Sequence, residues 1–162
     1  GVGTAAVPEY PFQVDEREQA AMLSDAYRRT RADRRVELTV WDLLQDQPTW
    51  SSGLLREDGS AKPAAAAFGL PVAPEDPAPA EGEVALVGQV RGAGGPTEVV
   101  IERAGGAGWA AVDRVPTGAD GSFRAELPSG ASGRYRARED ARAAPGDRMG
   151  RTGVPFRVMV GP

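Results

Sequence analysis

The sequence predicts an α/β segment followed by an all-β segment. In residues 1–70 the candidate elements follow in the order strand, helix, strand, helix, which is typical of parallel α/β architecture. A proline-rich stretch, residues 71–82, comes next, and six short candidate strands separated by glycine-rich turns occupy residues 83–162. We therefore expect two folded segments joined by a semi-rigid linker.

Composition removes several classes of chemistry from consideration. The 162 residues include no cysteine and no histidine, which removes thiol chemistry, disulfides, histidine-based acid/base catalysis and most zinc sites. We expect no metal and no cofactor. The net charge of −4 does not favour a nucleic-acid partner, and no apolar run approaches the roughly 20 residues of a membrane span. Any catalysis must rest on carboxylates, hydroxyls, arginines or the single lysine, Lys62.

The α/β segment begins with a small apolar stretch, residues 2–7, which predicts a strand stopped by Pro8 and Pro11. Asp15 and Glu18 then have the spacing of a capping box, and acidic residues fill the first turn that follows. Apolar residues recur beyond them at three- and four-residue intervals. The pattern predicts a helix that buries one face.

A second strand is predicted at residues 36–41, where apolar and polar residues alternate. Residues 45–59 read as a long loop with an Asp-Gly turn. Pro63 suits the first position of a helix and Gly69 suits its end, so Lys62 and Pro63 together are interpreted as a helix start without chemistry.

The all-β segment has its chemistry-bearing residues in strands. Trp109 and Tyr135 have alternating polar neighbours, so both are predicted to be core residues of a sandwich, and binding of carbohydrate by this segment is the minor alternative. The predicted strands are residues 83–91, 97–103, 109–115, 122–127, 134–139 and 155–160.

One run of sequence resembles a known family. Trp41-Asp42-Leu43-Leu44 is followed by a tryptophan loop, an Asp-Gly turn and Lys-Pro opening an alanine-rich helix, over residues 50–64. This order resembles the last strand, loop and helix of cellulase-like (β/α)8 glycoside hydrolases, and the resemblance covers about residues 5–72. It implies a terminal portion of a TIM barrel whose N-terminal part lies upstream, in a secreted bacterial enzyme of carbohydrate metabolism.

The resemblance also implies a catalytic residue. These enzymes end strand seven with a nucleophilic glutamate, and Glu9 occupies that place, although Pro8 and Pro11 replace the family's usual threonine and glycine. Glu9 would serve a retaining two-carboxylate mechanism whose acid/base glutamate is not in these 162 residues, so this segment alone should be inactive. The alternative is that Glu9 is a solvated loop carboxylate.

Two tryptophans are candidate substrate-binding residues. By resemblance, Trp41 could form a stacking floor for a sugar ring, or it could be a core residue. Trp50 is either a rim aromatic or an anchor of its loop, and Asp42 and Asp46 are expected to bond to loop backbone.

The all-β segment resembles the Ig-like or fibronectin-like accessory domains of bacterial secreted proteins, and the resemblance implies an extracellular location. A second function remains open. The protein could be a non-catalytic surface, adhesion or carbohydrate-binding protein in which residues 83–160 act and residues 1–72 pack on a partner.

Overall fold

In the computed structural model, residues 14–33, 35–76, 78–80, 83–128, 130–140 and 150–159 are described. The chain divides into two units, residues 1–68 and 69–162. Neither helix in the described ranges is long and apolar enough to cross a bilayer. The helices are α1 (Glu16–Ala32) and α2 (Pro63–Gly69), and the strands are β1 (Val72–Pro74), β2 (Val84–Gln89), β3 (Glu98–Gly105), β4 (Gly108–Pro116), β5 (Ser122–Leu127), β6 (Gly133–Glu139) and β7 (Phe156–Val158).

Helix α1 begins with the capping box that the sequence predicts. The Asp15 carboxylate accepts hydrogen bonds from the N–H groups of Arg17 and Glu18, both at 2.8 Å, and the Glu18 carboxylate accepts from the Asp15 N–H at 3.0 Å. These bonds satisfy amide groups that lack partners within the helix. Ala20 and Leu23 lie on the buried face.

The parallel α/β architecture predicted for residues 1–70, a terminal portion of a (β/α)8 barrel, is wrong. The described structure is mostly β, and its seven strands form two antiparallel sheets, all within residues 69–162. Residues 36–41 form no strand, and the strand predicted at residues 2–7 lies outside the described residues. Alternation of side chains does not by itself make a strand, because the backbone also needs a neighbour to complete its hydrogen bonds.

The six strands predicted in the second unit are confirmed, with their ends displaced by at most two residues. One three-stranded sheet has the order β1-β2-β5, and a four-stranded sheet has the order β4-β3-β6-β7. Strand β1 was not predicted, because Val72–Pro74 lies in the stretch interpreted as linker. It pairs with β2 along one edge only, a position at which a proline is tolerated.

Side chains from both sheets belong to one buried cluster, which is the packing expected of a β-sandwich. Within the three-stranded sheet Gly88 is the register partner of Phe123, and a Cβ at Gly88 would collide with the Phe123 ring. A glycine in β2 therefore lets this ring cover the strand. The cluster includes Leu86, Val99, Ile101, Phe123, Ala125, Tyr135, Ala137 and Val158.

Candidate functional site

The structure describes two of the three site residues predicted from sequence. Glu9 lies outside the described residues. Trp41 is half-buried, and its indole N–H donates to the Ser52 carbonyl at 2.9 Å, which fixes the ring to its own loop. Trp50 is half-buried in a tight turn in which its backbone exchanges two hydrogen bonds, of 2.9 and 3.0 Å, with Gln47.

A buried ion pair holds the loop that carries these tryptophans. The Lys62 side chain is 1% exposed and that of Asp46 is 9% exposed, with 2.7 Å between the Lys62 ammonium and the carboxylate. Lys62 also donates to the Ser51 carbonyl at 2.9 Å, and the Asp46 carboxylate accepts from the Gly53 N–H at 2.8 Å. The expectation that Asp46 bonds to loop backbone is confirmed. Lys62 was interpreted only as part of a helix start, but it also forms the ion pair that holds the loop.

Helix α1 is tied to the same loop by a buried glutamine. The Gln19 amide donates to the carbonyls of Ser52 and Gly53, at 2.9 and 3.2 Å. At Gly53 a Cβ would lie 2.5 Å from the Asp46 amide nitrogen, so glycine is required for this close approach. We call Gln19, Trp41, Asp46, Ser52 and Lys62 the loop network.

Acidic residues of this unit are engaged in local ion pairs and turns. Hydrogen bonds from Arg28, the largest cause, and from Arg29 lower the pKa of Asp25 below its ordinary value. The Arg35 guanidinium lowers the pKa of Asp33 in the same way. These carboxylates are therefore ionised at neutral pH, unlike a general acid. Within the described residues, no cluster of three or more acidic side chains could hold a metal ion.

Next to the loop network the first unit exposes a run of large apolar side chains. The exposed fractions are 40% for Val36, 78% for Leu38, 75% for Val40 and 68% for Leu44. Among the described residues, the non-helical backbone hydrogen bonds of this region end at Val36 and resume at Leu44. We call these four residues the apolar stripe. Exposed apolar side chains that lie close together in sequence are candidates for contact with another polypeptide.

The second unit has a basic surface on the outer side of its four-stranded sheet. In β6 the core residues Tyr135 and Ala137 alternate with Arg134, Arg136 and Arg138, which point away from the core. In β7, Arg157 lies between two core-facing residues and shares that outer side.

Trp109 belongs to the same outer surface, so the prediction that it is a core residue is wrong. It is half-buried, and the Arg136 guanidinium carbon lies 4.4 Å from the centre of its ring. The cause is a β-bulge in the β3–β4 ladder between Ile101 and Glu102, where an extra β4 residue reverses the alternation towards Trp109. Tyr135 is 1% exposed, which confirms its prediction as a core residue.

Comparison of the chain with protein-family models, with curated proteins and with solved structures finds no match. The described residues present two candidate surfaces. One is the apolar stripe beside the loop network in the first unit, and the other is the basic, aromatic outer side of the four-stranded sheet in the second.

Proposed function

We propose that the protein is part of a secreted glycoside hydrolase that cleaves O-glycosidic bonds by a retaining, two-carboxylate mechanism. The observation that carries this proposal is the apolar stripe. Leu38 and Val40 are each at least three-quarters exposed, although their side chains are of the kind normally removed from water. A further polypeptide body that covers the stripe would bury this surface and supply the acid/base carboxyl group of the mechanism.

The position of the stripe links it to sugar chemistry. Trp41 follows Val40 directly, so a body that covers Val40 lies beside a half-buried indole ring. Indole rings bind the apolar faces of sugars. The loop network holds Trp41 and its loop in place from helix α1 and from the start of α2, and such fixed support is what a binding subsite needs.

In this proposal Glu9 is the nucleophile. Its carboxylate attacks the anomeric carbon while a second carboxylic acid, about 5–5.5 Å away, protonates the oxygen of the departing group. The glycosyl–enzyme ester that forms is then hydrolysed by water, which the second carboxylate deprotonates. That second group comes from the covering body, so the 162 residues alone are expected to be inactive.

The second unit is proposed to be an Ig-like or fibronectin-like accessory module. The Tyr135 hydroxyl donates to the Ala131 carbonyl, four residues upstream, at 3.0 Å. Tyr135 lies near the start of β6, just after the connection from β5. A buried tyrosine that bonds back across such a corner is a recurrent feature of Ig-like sandwiches.

The test is to replace Glu9 in the complete natural protein. Glu9→Gln should reduce hydrolysis of aryl glycosides by at least about 1,000-fold and leave the thermal unfolding midpoint unchanged. Glu57→Gln is the matched control, because Glu57 is an exposed glutamate of the same unit. Equal activity of the two variants would show that Glu9 is not the nucleophile.

A second function, that of a non-catalytic extracellular binding or adhesion protein, is favoured by the arginines around Trp109. The two functions are distinguished by whether the complete protein turns over a glycoside. The hydrolase requires turnover of a glycoside by the complete protein, whereas the binding protein shows affinity for a ligand without turnover.

A further inference from the structure

The outer side of the four-stranded sheet carries Trp109, Arg134, Arg136, Arg138 and Arg157, and we call these five residues the basic face. Two of its arginines are direct neighbours across strands, since Arg134 in β6 is the register partner of Arg157 in β7. Like charges placed opposite one another in a sheet are destabilising. Such an arrangement becomes favourable when an anion lies between or across the two side chains.

Arg134 and Arg157 differ from other arginines of this unit. Arg114 binds the carboxylates of Glu98 and Asp140, both at 2.8 Å, and Arg124 binds Glu75 and Glu126. Among the described residues, no carboxylate lies within ion-pair distance of Arg134 or Arg157, and both side chains are exposed. Their charges are available to a ligand.

Neighbouring residues hold the centre of the basic face in a fixed geometry. Glu102 accepts hydrogen bonds from Arg136 at 2.6 Å and from Arg138 at 3.3 Å, and the Arg136 guanidinium lies over the Trp109 ring. Arg134 lies 5.9 Å from the same ring. Arg136 and Arg138 are therefore already paired with Glu102, and Arg136 holds the Trp109 ring beside the exposed Arg134.

The outer side of the sheet also carries small apolar side chains beside these charges. Ala104, the register partner of Trp109, and Ala111, the partner of Glu102, lie on the outer side and add little bulk. An extended chain that lies along the sheet would therefore meet small side chains, an indole edge and a row of guanidinium groups. Sugar rings that carry acidic substituents have this combination of flat apolar and anionic surface.

The number of available charges argues against a nucleic acid. Nucleic-acid binding is driven by the neutralisation of many closely spaced phosphates. Here Glu102 offsets part of the charge of Arg136 and Arg138, and the whole chain has a net charge of −4. Among the arginines of the basic face, Arg134 and Arg157 alone have no carboxylate partner in the described residues, and two charges are fewer than the about 4–8 basic residues that recognise an anionic membrane.

We propose that the basic face binds an acidic polysaccharide, with Arg134 and Arg157 on its carboxylates and Trp109 beside its sugar rings. This inference does not depend on the catalytic proposal, because it concerns binding by the second unit and needs no turnover.

The experiment is a binding titration of the whole 162-residue chain with two forms of one polymer. Polygalacturonate carries a free carboxylate on each sugar, and its fully methyl-esterified form has the same backbone without the charge. We expect the chain to bind polygalacturonate at least about tenfold more tightly than the ester, with an affinity that falls as salt concentration rises.

Variants locate the site. The double substitution Arg134→Gln and Arg157→Gln should weaken polygalacturonate binding by at least about tenfold. The matched control, Arg17→Gln with Arg31→Gln, removes the same charge from exposed positions of helix α1 and should change binding by less than about twofold. If the variant with both Arg134→Gln and Arg157→Gln does not fold, Arg157→Gln alone takes its place, with Arg31→Gln as its control.

The proposal is overturned by absence of binding, by equal affinity for the ester, or by equal losses in the face and control variants. Tighter binding of single-stranded DNA or of phosphatidylserine vesicles would also overturn it, because those results would assign the face to a different class of ligand. The proposal is supported if the chain prefers polygalacturonate to its ester, binds it less tightly at higher salt and loses affinity only in the variants of the basic face. This result would hold whatever the catalytic activity of the complete protein.

Discussion

Lys62 and Asp46 form a buried ion pair at the junction of the tryptophan loop and helix α2. The 2.7 Å contact joins a side chain that is 1% exposed to one that is 9% exposed. Lys62 is the single lysine in a chain with 18 arginines, and it occupies a position where a compact ammonium group is suitable. Lys62 also donates to the Ser51 carbonyl, so the pair acts as a clamp on the loop rather than as an isolated bridge.

Replacement of Lys62 by methionine should therefore destabilise the first unit strongly. The change leaves the Asp46 carboxylate buried without its cation, and the loss of one member of a buried pair costs about 3–5 kcal/mol. Urea unfolding measures this change in the free energy of unfolding.

Two further variants check that interpretation. Arg56→Met breaks the contact between Arg56 and Glu16, whose side chains are 42% and 31% exposed, together with the hydrogen bonds of Arg56 to Ser60 and Ala61. It should destabilise the unit much less than Lys62→Met, because exposed ion pairs contribute little. Lys62→Met combined with Asp46→Leu should cost less than the two single changes added together. Wild-type stability for Lys62→Met would contradict the role of the clamp.

Tyr135→Phe should destabilise the second unit by about 1–2 kcal/mol. The ring still fills its place in the core, but the Ala131 carbonyl loses the hydroxyl that donates to it at 3.0 Å. Thermal unfolding followed by far-UV circular dichroism measures the effect. Tyr135→Ala should cost about 3–5 kcal/mol, because it also leaves a cavity. Wild-type stability of Tyr135→Phe would show that the hydroxyl contributes nothing of its own.

Polar substitutions in the apolar stripe should separate docking from folding. Leu38→Ser with Val40→Ser should change the unfolding free energy of the 162-residue chain by less than about 0.5 kcal/mol, because both side chains are exposed. In the complete protein the same changes should abolish hydrolysis of aryl glycosides.

Thr39→Ser is the control for the stripe, because Thr39 is exposed within the same stretch and is already polar. It should leave both stability and activity unchanged. Full activity of the Leu38 and Val40 double variant would show that the stripe does not dock the catalytic body.

The strands of the second unit could be predicted because each pairs with neighbours inside the described unit, so alternation in the sequence matches burial in the structure. Residues 36–41 have the same alternation without such a partner among the described residues, and they form no strand. The pattern alone cannot reveal whether a neighbouring strand is present.

The candidate sites were predictable to different degrees. Trp109 was assigned to the core because the bulge that turns it outward has no strong signature in the sequence. Lys62 had a usable signal, as the single lysine among arginines, but its burial depends on Asp46, sixteen residues away in sequence. The bond from Trp41 to Ser52 likewise depends on how the loop closes.

The central claim, that Glu9 is the nucleophile of a retaining glycoside hydrolase, is tested most directly by trapping the covalent intermediate. The complete natural protein is incubated with 2-deoxy-2-fluoro glycosyl fluorides of several common sugars, which slow hydrolysis of the glycosyl–enzyme ester. Peptide mass analysis then locates the label. The account predicts a fluoroglycosyl group on Glu9 and loss of activity in step with labelling. A label on another residue, or continued turnover without a label, would contradict it.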